Sequence, residues 1–311
     1  VGCYQPEYNG PTWYVSTTGS DDSDGSEESP FATIQHGIDM SSNGDTVLVA
    51  EGTYVENVRL PNSIHLISES GPSQTIIDGT YEDPYTYVIK LGSTSQNVSI
   101  TGFTLTGGKT YMDEDQGYLG GAIWLYYSGG GSLVISNTLF INNDIVLAFA
   151  TVASTTIEIN NCTFFLEDAW WPLGFSYYNQ NIDATSSIFY GDSNQVFPES
   201  YNIVLNISYS LISPTLYTDE YFSDNGNNVF ANPLFCNPDS SDYTLAENSP
   251  CVGTGENGAN MGAFGVGCGP LILAPVILDI AFDQQIYEDD SLTIIVSATS
   301  DINASMSFTA T

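Results

Sequence analysis

Carboxylates are the side chains of this sequence best suited to chemistry, and two short runs concentrate them. The first run contains Asp21, Asp22 and Asp24, and the second contains Asp113, Glu114 and Asp115. Ca²⁺ prefers carboxylate and carbonyl oxygens, so both runs are predicted calcium sites. Two carboxylates placed across a groove from each other would instead supply the acid and base of a glycoside hydrolase. For consecutive acids on a surface loop, we favour solvation or calcium binding over catalysis.

The first run belongs to a wider acidic segment, residues 19–28. An EF-hand loop beginning at Ser20 would place Phe31, rather than glutamate, at its twelfth position, so the segment departs from that pattern. The alternative interpretation is an acidic turn that orders the following helix, because a helix N-terminus attracts negative charge. The sequence leaves both interpretations open.

The charge balance excludes two classes of partner. The chain carries 37 Asp and Glu residues against three strong bases, Arg59, Lys90 and Lys109, and its formal net charge is −34. Such a surface repels nucleic acid and anionic membranes. The charge also opposes folding by self-repulsion, and we expect bound divalent cations, a salty environment or both to relieve it.

The distribution of the bases argues against a lyase that acts on polyuronates. Such a lyase typically relies on Arg or Lys together with Ca²⁺, and no Lys or Arg occurs between residues 110 and 311. An anionic polymer would therefore meet an anionic surface, unless Ca²⁺ supplied all the positive charge. A hydrolase of neutral polysaccharide remains the enzymatic alternative.

A further group of candidate residues is aromatic. Its members are Tyr111, Tyr118, Trp124, Trp170 and Trp171. Exposed rings in a row suit stacking on the apolar faces of sugars, which makes a glycan a candidate partner. Rings at alternating positions also pack in cores and in protein interfaces, and we favour these two interpretations.

The five cysteines indicate an oxidising compartment, and none has the C-x-x-C spacing of a zinc site. Four of them, Cys3, Cys236, Cys251 and Cys268, are candidates for two disulfides. Cys251–Cys268 and Cys236–Cys251 are the pairings considered, but connectivity cannot be read from sequence and stays open. The fifth, Cys162, aligns with largely apolar positions of the repeats described next, which predicts a buried, unpaired thiol.

Internal repeats determine the predicted fold. Five ten-residue segments align without gaps and begin at residues 97, 132, 156, 181 and 203. Apolar residues recur at their second and ninth places, which hold Val98 and Leu105 in the first segment. In the last segment these places hold Val204 and Leu211. Short alternating strands at spacings of 35, 24, 25 and 22 residues, without helical periodicity between them, are typical of a solenoid of parallel coils.

The N-terminal side of the repeats predicts a cap. The segment 31–40 places Phe31, Ile34 and Ile38 on one helical face, ahead of a strand at 46–49. A short amphipathic helix here would cover the open end of the first coil and its apolar core.

Two strings of the sequence carry a resemblance to known proteins. They are YVSTTGSDDSDGSEESPFATIQHGIDMSSNGDTVLVAEGTYVENV (14–58) and NPLFCNPDSSDYTLAENSPCVGTGENGANMGAFGVGC (232–268). They resemble the opening and closing segments of secreted bacterial proteins with a pectate-lyase-like right-handed parallel β-helix. The resemblance implies that fold and secretion, and it implies no single activity, because this scaffold hosts lyases, hydrolases, adhesins and fibre components.

The tail differs from the repeats. Residues 270–311 begin with a Gly/Pro-rich linker and resemble the first strands of a cadherin-like or immunoglobulin-like module, which needs roughly 100 residues in full. A longer natural chain, strand addition by another chain and packing on the β-helix flank all remain open. The most apolar stretch, 271–282, is too short to span a membrane. Val1 is expected to follow a processing site, as in a secreted protein.

We therefore predict an all-β chain with three parts: an N-terminal cap at 1–44, a right-handed parallel β-helix at 45–269, and a linker with a partial β-sandwich-like segment at 270–311. The predicted function is structural or adhesive at the cell exterior, stabilised by Ca²⁺. Self-association into an oligomer or filament, or binding of a neutral glycan, are the predicted partnerships. The alternatives are a glycoside hydrolase and a monomeric glycan-binding adhesin.

Overall fold

A computed structural model shows the fold. It describes residues 8–61, 63–80, 87–92, 97–113, 117–125, 131–149, 155–166, 171–173, 180–191, 203–214 and 222–271. Within them the chain winds through three sheets in turn, and successive coils add strands side by side to the same sheets. In these three sheets the coil strands pair in parallel with their equivalents one coil away, which gives a right-handed parallel β-helix and confirms the predicted fold class.

Sheet 1 is the longest. In spatial order its strands are β1 (Thr12–Val15), β2 (Thr46–Val49), β5 (His65–Ser68), β8 (Asn97–Thr101), β12 (Gly131–Ser136), β15 (Thr155–Asn160), β18 (Gln180–Thr185), β20 (Ile203–Ser208) and β22 (Ser223–Asp224). Strand numbers follow the chain, so each neighbour in the sheet lies one coil further along.

Sheets 2 and 3 complete each coil. Sheet 2 contains β3 (Gly52–Val55), β6 (Thr75–Asp78), β9 (Thr104–Thr106), β13 (Leu139–Phe140), β16 (Thr163–Phe165), β19 (Ile188–Tyr190), β21 (Leu211–Ile212) and β23 (Val229–Phe230). Sheet 3 contains β4 (Val58–Leu60), β7 (Tyr87–Leu91), β11 (Gly117–Leu125), β14 (Ile145–Phe149) and β17 (Trp171–Leu173). A further strand, β10 (Thr110–Asp113), pairs antiparallel with β11 and forms the hairpin that lengthens this coil.

The turn between sheets 1 and 2 repeats in successive coils and explains a sequence pattern. One residue of the turn has a positive φ, for example Gly102 at 86°, Asn137 at 48° and Asn161 at 52°. Gly and Asn adopt this left-handed conformation most readily. The next residue of each turn is buried, and Cys162 occupies this row as an unpaired thiol, as predicted. Burial raises the pKa of the Cys162 thiol to about 12.

Aromatic rings stack in the core where successive coils meet. The rings of Phe140 and Phe164 lie 4.9 Å apart, and those of Phe164 and Phe189 lie 4.6 Å apart, both nearly parallel. These residues occupy the ninth place of three successive repeats. Equivalent positions therefore form continuous inward ladders, which bury the face that a single coil cannot bury alone.

The alignment of the repeats is confirmed for the first four segments and is wrong by one residue for the fifth. The structure pairs Ile182 with Leu205, not with Val204. Leu205 is 2% exposed, whereas Val204 is 49% exposed. The stretch from Ile203 to Leu205 is apolar throughout, so its pattern fits two registers, and a slip of one residue exchanges the buried and exposed faces.

This correction predicts different costs for two neighbouring substitutions. We expect Leu205→Ala to lower the free energy of unfolding by about 3 kcal/mol, because it leaves a cavity in the ladder. Val204→Ala should change it by less than about 0.5 kcal/mol, because this side chain faces solvent. Urea unfolding of both variants measures the difference, and equal costs would restore the register read from the sequence.

The predicted cap helix is confirmed as α1 (Ile34–Met40). Phe31, Ile34 and Ile38 are buried against the first coil, as expected from their spacing. The acidic segment crosses the outer edge of β1, since Tyr14 N donates to Gly25 O and Phe31 N donates to Tyr14 O. The segment and α1 together cover the strand edge and the apolar end of the stack.

The segment 232–271 packs beside the stack and does not extend it. Its strands β24 (Phe235–Asn237), β25 (Asp242–Ala246) and β26 (Val266–Cys268) form a separate small sheet, with 3₁₀ turns at Pro238–Ser240 and Glu256–Gly258. Its apolar residues pack on the outer side of sheet 2, against Leu139, Ile188 and Leu211.

Docking of this segment explains part of the MGAFG motif. Gly262 has a φ of 85°, and its N–H donates to Ser186 O at 2.7 Å. A Cβ at Gly262 would lie 2.6 Å from Ile188 Cδ1 and 2.8 Å from Thr163 Oγ1. Glycine is therefore required here both by the backbone conformation and by the close approach of the two parts.

The disulfide differs from both pairings considered from the sequence. Cys236 and Cys268 are bonded, and they join β24 to β26. Cys251 is a buried free thiol in the cluster between the segment and sheet 2, so Cys251–Cys268 and Cys236–Cys251 were wrong. The sequence did not show that β24 and β26 lie on either side of β25 in one sheet. Cys3 lies outside the described residues.

Candidate cationic site on sheet 3

The outer side of sheet 3 brings together bases that are distant in the sequence. Arg59 of β4 pairs in register with Lys90 of β7, and Lys90 pairs with Trp124 of β11. Neighbouring strands of a sheet are about 4.8 Å apart, so these three residues form one row across three coils. In each strand the residue lies between apolar neighbours that are buried, as in Val58-Arg59-Leu60.

Arg59 is exposed, and an aromatic residue orients its guanidinium. Its Nε donates a hydrogen bond to Tyr87 Oη at 2.8 Å. This bond raises the pKa of Arg59 above its already high ordinary value, so the side chain is always charged. With Nε held by Tyr87, the two terminal nitrogens form the outer edge of the planar guanidinium. A planar fork of this kind matches the two oxygens of a carboxylate.

Lys90 is half-buried, and its ammonium lies over an indole ring. The distance from Nζ to the Trp124 ring centroid is 4.0 Å, and to the Tyr87 ring centroid it is 5.9 Å. Burial, followed by the nearby charge of Arg59, lowers the pKa of Lys90 below its ordinary value. The two rings are themselves in contact, with centroids 5.7 Å apart. Each cation of the row is therefore supported by an aromatic residue.

The third strong base, Lys109, lies at the base of the β10–β11 hairpin on the same sheet. Its carbonyl accepts a hydrogen bond from Gly121 N, and Gly121 pairs with Tyr87. Its ammonium forms an ion pair with Asp144 at 3.1 Å, and the second oxygen of that carboxylate accepts from Thr110 N. All three strong bases of the chain thus lie on sheet 3 or at its edge, and Lys109 forms an ion pair with Asp144.

We name Arg59, Tyr87, Lys90 and Trp124 the cationic site. The sequence alone did not reveal it, because Arg59 and Lys90 are separated by a whole coil and stood out only as rare exceptions to an acidic composition. A signal was present in the triplets Val-Arg-Leu at 58–60, Ile-Lys-Leu at 89–91 and Ile-Trp-Leu at 123–125. Each triplet has an outward residue between two inward ones, as the alternation of a strand requires.

Of the five aromatic candidates for glycan binding, the structure describes the side chain of Trp124. Trp124 lies in the cationic site, where Lys90 covers its ring, so it supports a cation instead of offering a bare platform for sugar. Tyr111 lies in β10, Tyr118 in β11 and Trp171 in β17, and their side chains are outside the described part of the structure. Trp170 also lies outside the described residues.

The acids of the first run act mainly on the cap helix and its approach. Asp21 accepts hydrogen bonds from Ala32 N at 2.9 Å, Thr33 N at 3.0 Å and Thr33 Oγ1 at 2.9 Å. Burial opposes ionisation of Asp21, but these bonds outweigh it, and the pKa of this carboxyl is lowered. Asp24 accepts from Ser26 N and Oγ, and Asp22 is exposed.

The second acidic run is described only in part. Asp113 ends β10, and Glu114 and Asp115 lie outside the described residues. Among the residues that the structure describes, no three His, Cys, Asp or Glu side chains come together as a metal site would require. Backbone carbonyl oxygens also bind Ca²⁺, and calcium binding by either run stays a prediction.

The role of Asp21 predicts a pH-dependent loss of stability. We expect Asp21→Ala to lower the free energy of unfolding by about 1 kcal/mol at neutral pH, as loss of a cap does. Because the folded pKa is lowered, this contribution exists above the ordinary pKa near 3.8 and is lost as the pH falls through the folded value. The variants should therefore converge in acid.

Urea unfolding at neutral and acidic pH measures this effect. Asp22→Ala is the matched control, since it removes the same charge from an exposed neighbour and should cost less than about 0.5 kcal/mol. Equal losses in the two variants at neutral pH would show that the segment acts through its total charge alone.

On the outer side of sheet 1, an acid also accepts hydrogen bonds from neighbouring side chains. Glu158 pairs in register with Asp183, and Asp183 pairs with Asn206. Asp183 accepts from Asn206 Nδ2 at 2.7 Å through one oxygen and from Asn181 Nδ2 at 3.0 Å through the other. On this part of sheet 1, an amide and a carboxylate therefore bind each other across neighbouring coils.

The fold and the cationic site together define a right-handed parallel β-helix protein with a basic patch on an acidic surface. Residues 17–164 match a family model described as a protein of unknown function (DUF1565). An uncharacterized protein, YwoF of Bacillus subtilis (strain 168), is 40% identical over 57 residues. The matched part covers 18% of this chain and 12% of that relative.

Solved structures that resemble this chain share its fold at low identity. Pectate lyase Pel9A is 12% identical, with a TM-score of 0.38, and the match covers 82% of this chain and 96% of that one. A pectin methylesterase mutant in complex with a hexasaccharide is 13% identical, with a TM-score of 0.35 and coverages of 70% and 77%. A lacto-N-biosidase from Eubacterium ramulus is 8% identical, with a TM-score of 0.29 and coverages of 65% and 59%. At these identities the likeness concerns the fold alone.

In the described parts of the chain, no helix is both long enough and apolar enough to cross a bilayer.

Proposed function

We propose that this chain is a secreted, non-enzymatic adhesive β-helix whose cationic site binds acidic carbohydrate. The observation that carries the proposal is the placement of Arg59 and Lys90 side by side on one face of a chain with a net charge of −34. A carboxylate on a sugar ring is a ligand that such a pair can hold, and the β-helix offers a rigid support for it. The proposal thus replaces the neutral glycan predicted from the overall charge by an acidic one, because the two bases form a local positive patch on that acidic surface.

Electrostatics supports an anionic ligand. Two like charges on neighbouring strands repel each other, and this repulsion contributes to the lowered pKa of Lys90. A bound carboxylate would relieve the repulsion and accept two charge-assisted hydrogen bonds from the Arg59 fork. Half-burial of Lys90 strengthens its interaction with an anion, because charges attract more strongly where water is partly excluded.

The non-enzymatic part of the proposal is supported by the engagement of the described acids. Asp21 and Asp24 accept hydrogen bonds within the cap, and Asp183 accepts bonds from two amides. These three carboxylates therefore serve structural contacts in the cap and on sheet 1.

Calorimetric titration tests the proposal with a matched pair of ligands. A uronate trisaccharide should bind at least tenfold more tightly than the same trisaccharide with its carboxyls reduced to alcohols. The affinity should fall as salt is added, because the attraction is between exposed charges. Equal binding of both ligands would mean that the protein recognises neutral glycan, and the acidic preference would be lost.

The same samples test for catalysis. We expect chromatography to recover both trisaccharides intact after long incubation with the protein. Cleaved or unsaturated products that require the folded protein would overturn the non-enzymatic part of the proposal and favour a hydrolase or a lyase.

Calcium and self-association belong to the proposal as predictions. Because 37 acids oppose three strong bases, we expect millimolar Ca²⁺ to raise the thermal midpoint by several degrees more than NaCl of equal ionic strength. Equal shifts would indicate screening without specific sites.

Light scattering with and without a chelator measures self-association, and a monomer under both conditions would remove the filament prediction.

A further inference from the structure

We infer that Gln35 of the cap helix is a positioning residue for the cationic site, so that α1 takes part in ligand binding as well as in capping the stack. This inference rests on the proposed function of that site. It concerns a residue of a different element, which does not itself need to touch the ligand.

The side chain of Gln35 completes the edge of sheet 3. Among the described strands, β4 is the last on this side, and the backbone of Arg59 has its strand neighbour in β7. Gln35 Oε1 accepts from Arg59 N at 2.7 Å, and Gln35 Nε2 donates to Arg59 O at 3.3 Å. One side-chain amide therefore provides the donor and the acceptor that a further strand would have provided.

Gln35 is itself held by a fixed helix. Its Nε2 also donates to Asp39 Oδ1 at 2.8 Å, one turn further along α1. The carboxylate of Glu56 accepts from Ile34 N and Gln35 N, both at 2.9 Å, and so ties the start of the helix to the connection that leads into β4. The amide of Gln35 thus approaches Arg59 from a support with little freedom to move.

These contacts fix Arg59 at both ends. Gln35 holds its backbone in register with Lys90, and Tyr87 holds Nε of its side chain. Without Gln35, the edge strand would fray at Arg59 and the guanidinium would sample a wider range of positions. Affinity falls when groups must be ordered during binding, because ordering costs conformational entropy.

A purely structural role for Gln35 can be distinguished from a role in positioning Arg59. If Gln35 only covered a strand edge, its loss would lower stability and would affect ligand binding equally in every background. If it acts through Arg59, its effect on affinity must disappear once the guanidinium is gone. A double-mutant cycle separates these two cases.

The experiment measures the affinity of the full chain for the uronate trisaccharide. We expect Gln35→Ala to weaken binding by about threefold to tenfold. In an Arg59→Ala background the same substitution should change affinity by less than about 1.5-fold, whereas in a Lys90→Ala background its effect should persist. Met40→Ala, an exposed change on the same helix, is the control and should leave affinity unchanged.

Gln35→Met keeps the length of the side chain and the helix but removes both hydrogen bonds to Arg59. It serves as the second variant if Gln35→Ala lowers the thermal midpoint. An unchanged affinity in both Gln35 variants, or an equal loss with and without Arg59, would overturn the inference and leave the proposed function standing. An unchanged affinity in Arg59→Ala alone would instead overturn the proposed function.

Discussion

Replacing Arg59 and Lys90 together by alanine should weaken binding of the uronate trisaccharide by about 100-fold. Each cation is expected to contribute about tenfold, which corresponds to roughly 1.4 kcal/mol and is typical of a hydrogen bond to a charged group. The carboxyl-reduced trisaccharide should bind the variant and the unchanged protein with similar affinity. Calorimetry of both ligands with both proteins measures these differences.

Lys109→Ala is the matched control for this prediction. It removes one positive charge from the same sheet, but this charge already has Asp144 as its partner at 3.1 Å. We expect a change in affinity of less than about twofold. If Lys109→Ala weakened binding as much as Arg59→Ala, the ligand would respond to net charge and not to the geometry of the cationic site.

The salt dependence of the same variants refines the result. Exposed charges are screened by salt, so affinity for the uronate ligand should fall as ionic strength rises. The slope of log affinity against log salt concentration should be smaller for each single variant and close to zero for the double variant. A slope that remains in the double variant would place the anion elsewhere on the protein.

Phe164→Ala should produce the largest loss of stability, about 4 kcal/mol, which is in the range for removal of a buried aromatic ring. Phe164 lies between Phe140 and Phe189, with both neighbouring rings nearly parallel to it. Its removal leaves a cavity in the middle of the ladder and breaks two ring contacts at once. Urea unfolding measures the loss.

The control for Phe164 is Phe230→Ala, a change of the same residue type at a side chain that is 40% exposed. We expect it to cost less than about 1 kcal/mol. Hydrogen exchange adds a local readout, because each coil of a solenoid contacts mainly its neighbours. Phe164→Ala should reduce protection first in β13, β16 and β19, and uniform loss over all coils would contradict this nearest-neighbour description.

The sequence by itself determined the fold class and the cap. A coil repeats the same alternation of inward and outward residues, so the second and ninth places of the repeats revealed the buried ladders before any pairing was known. The face formed by Phe31, Ile34 and Ile38 likewise identified α1, because helical periodicity is a local property. The buried thiol of Cys162 followed from its place in the repeat.

The sequence did not determine the register of β20 or the pairing of the cysteines, because more than one arrangement fitted each. Ile203, Val204 and Leu205 are all apolar, so periodicity could not choose between two registers, and the choice depends on the fit of β20 against β18. The disulfide between Cys236 and Cys268 depends on the small sheet that packs beside the stack. Neither outcome is encoded by local spacing.

The cationic site was decided by the tertiary structure. Arg59 and Lys90 are 31 positions apart in the chain, yet the winding of one coil places them on neighbouring strands. The amide of Gln35 reaches Arg59 only because the cap helix docks against the first coil. Periodicity determines which face of a strand a residue occupies, whereas coil length and docking determine which residues become its neighbours. For this reason the fold of this chain could be predicted from its sequence, whereas its candidate site could not.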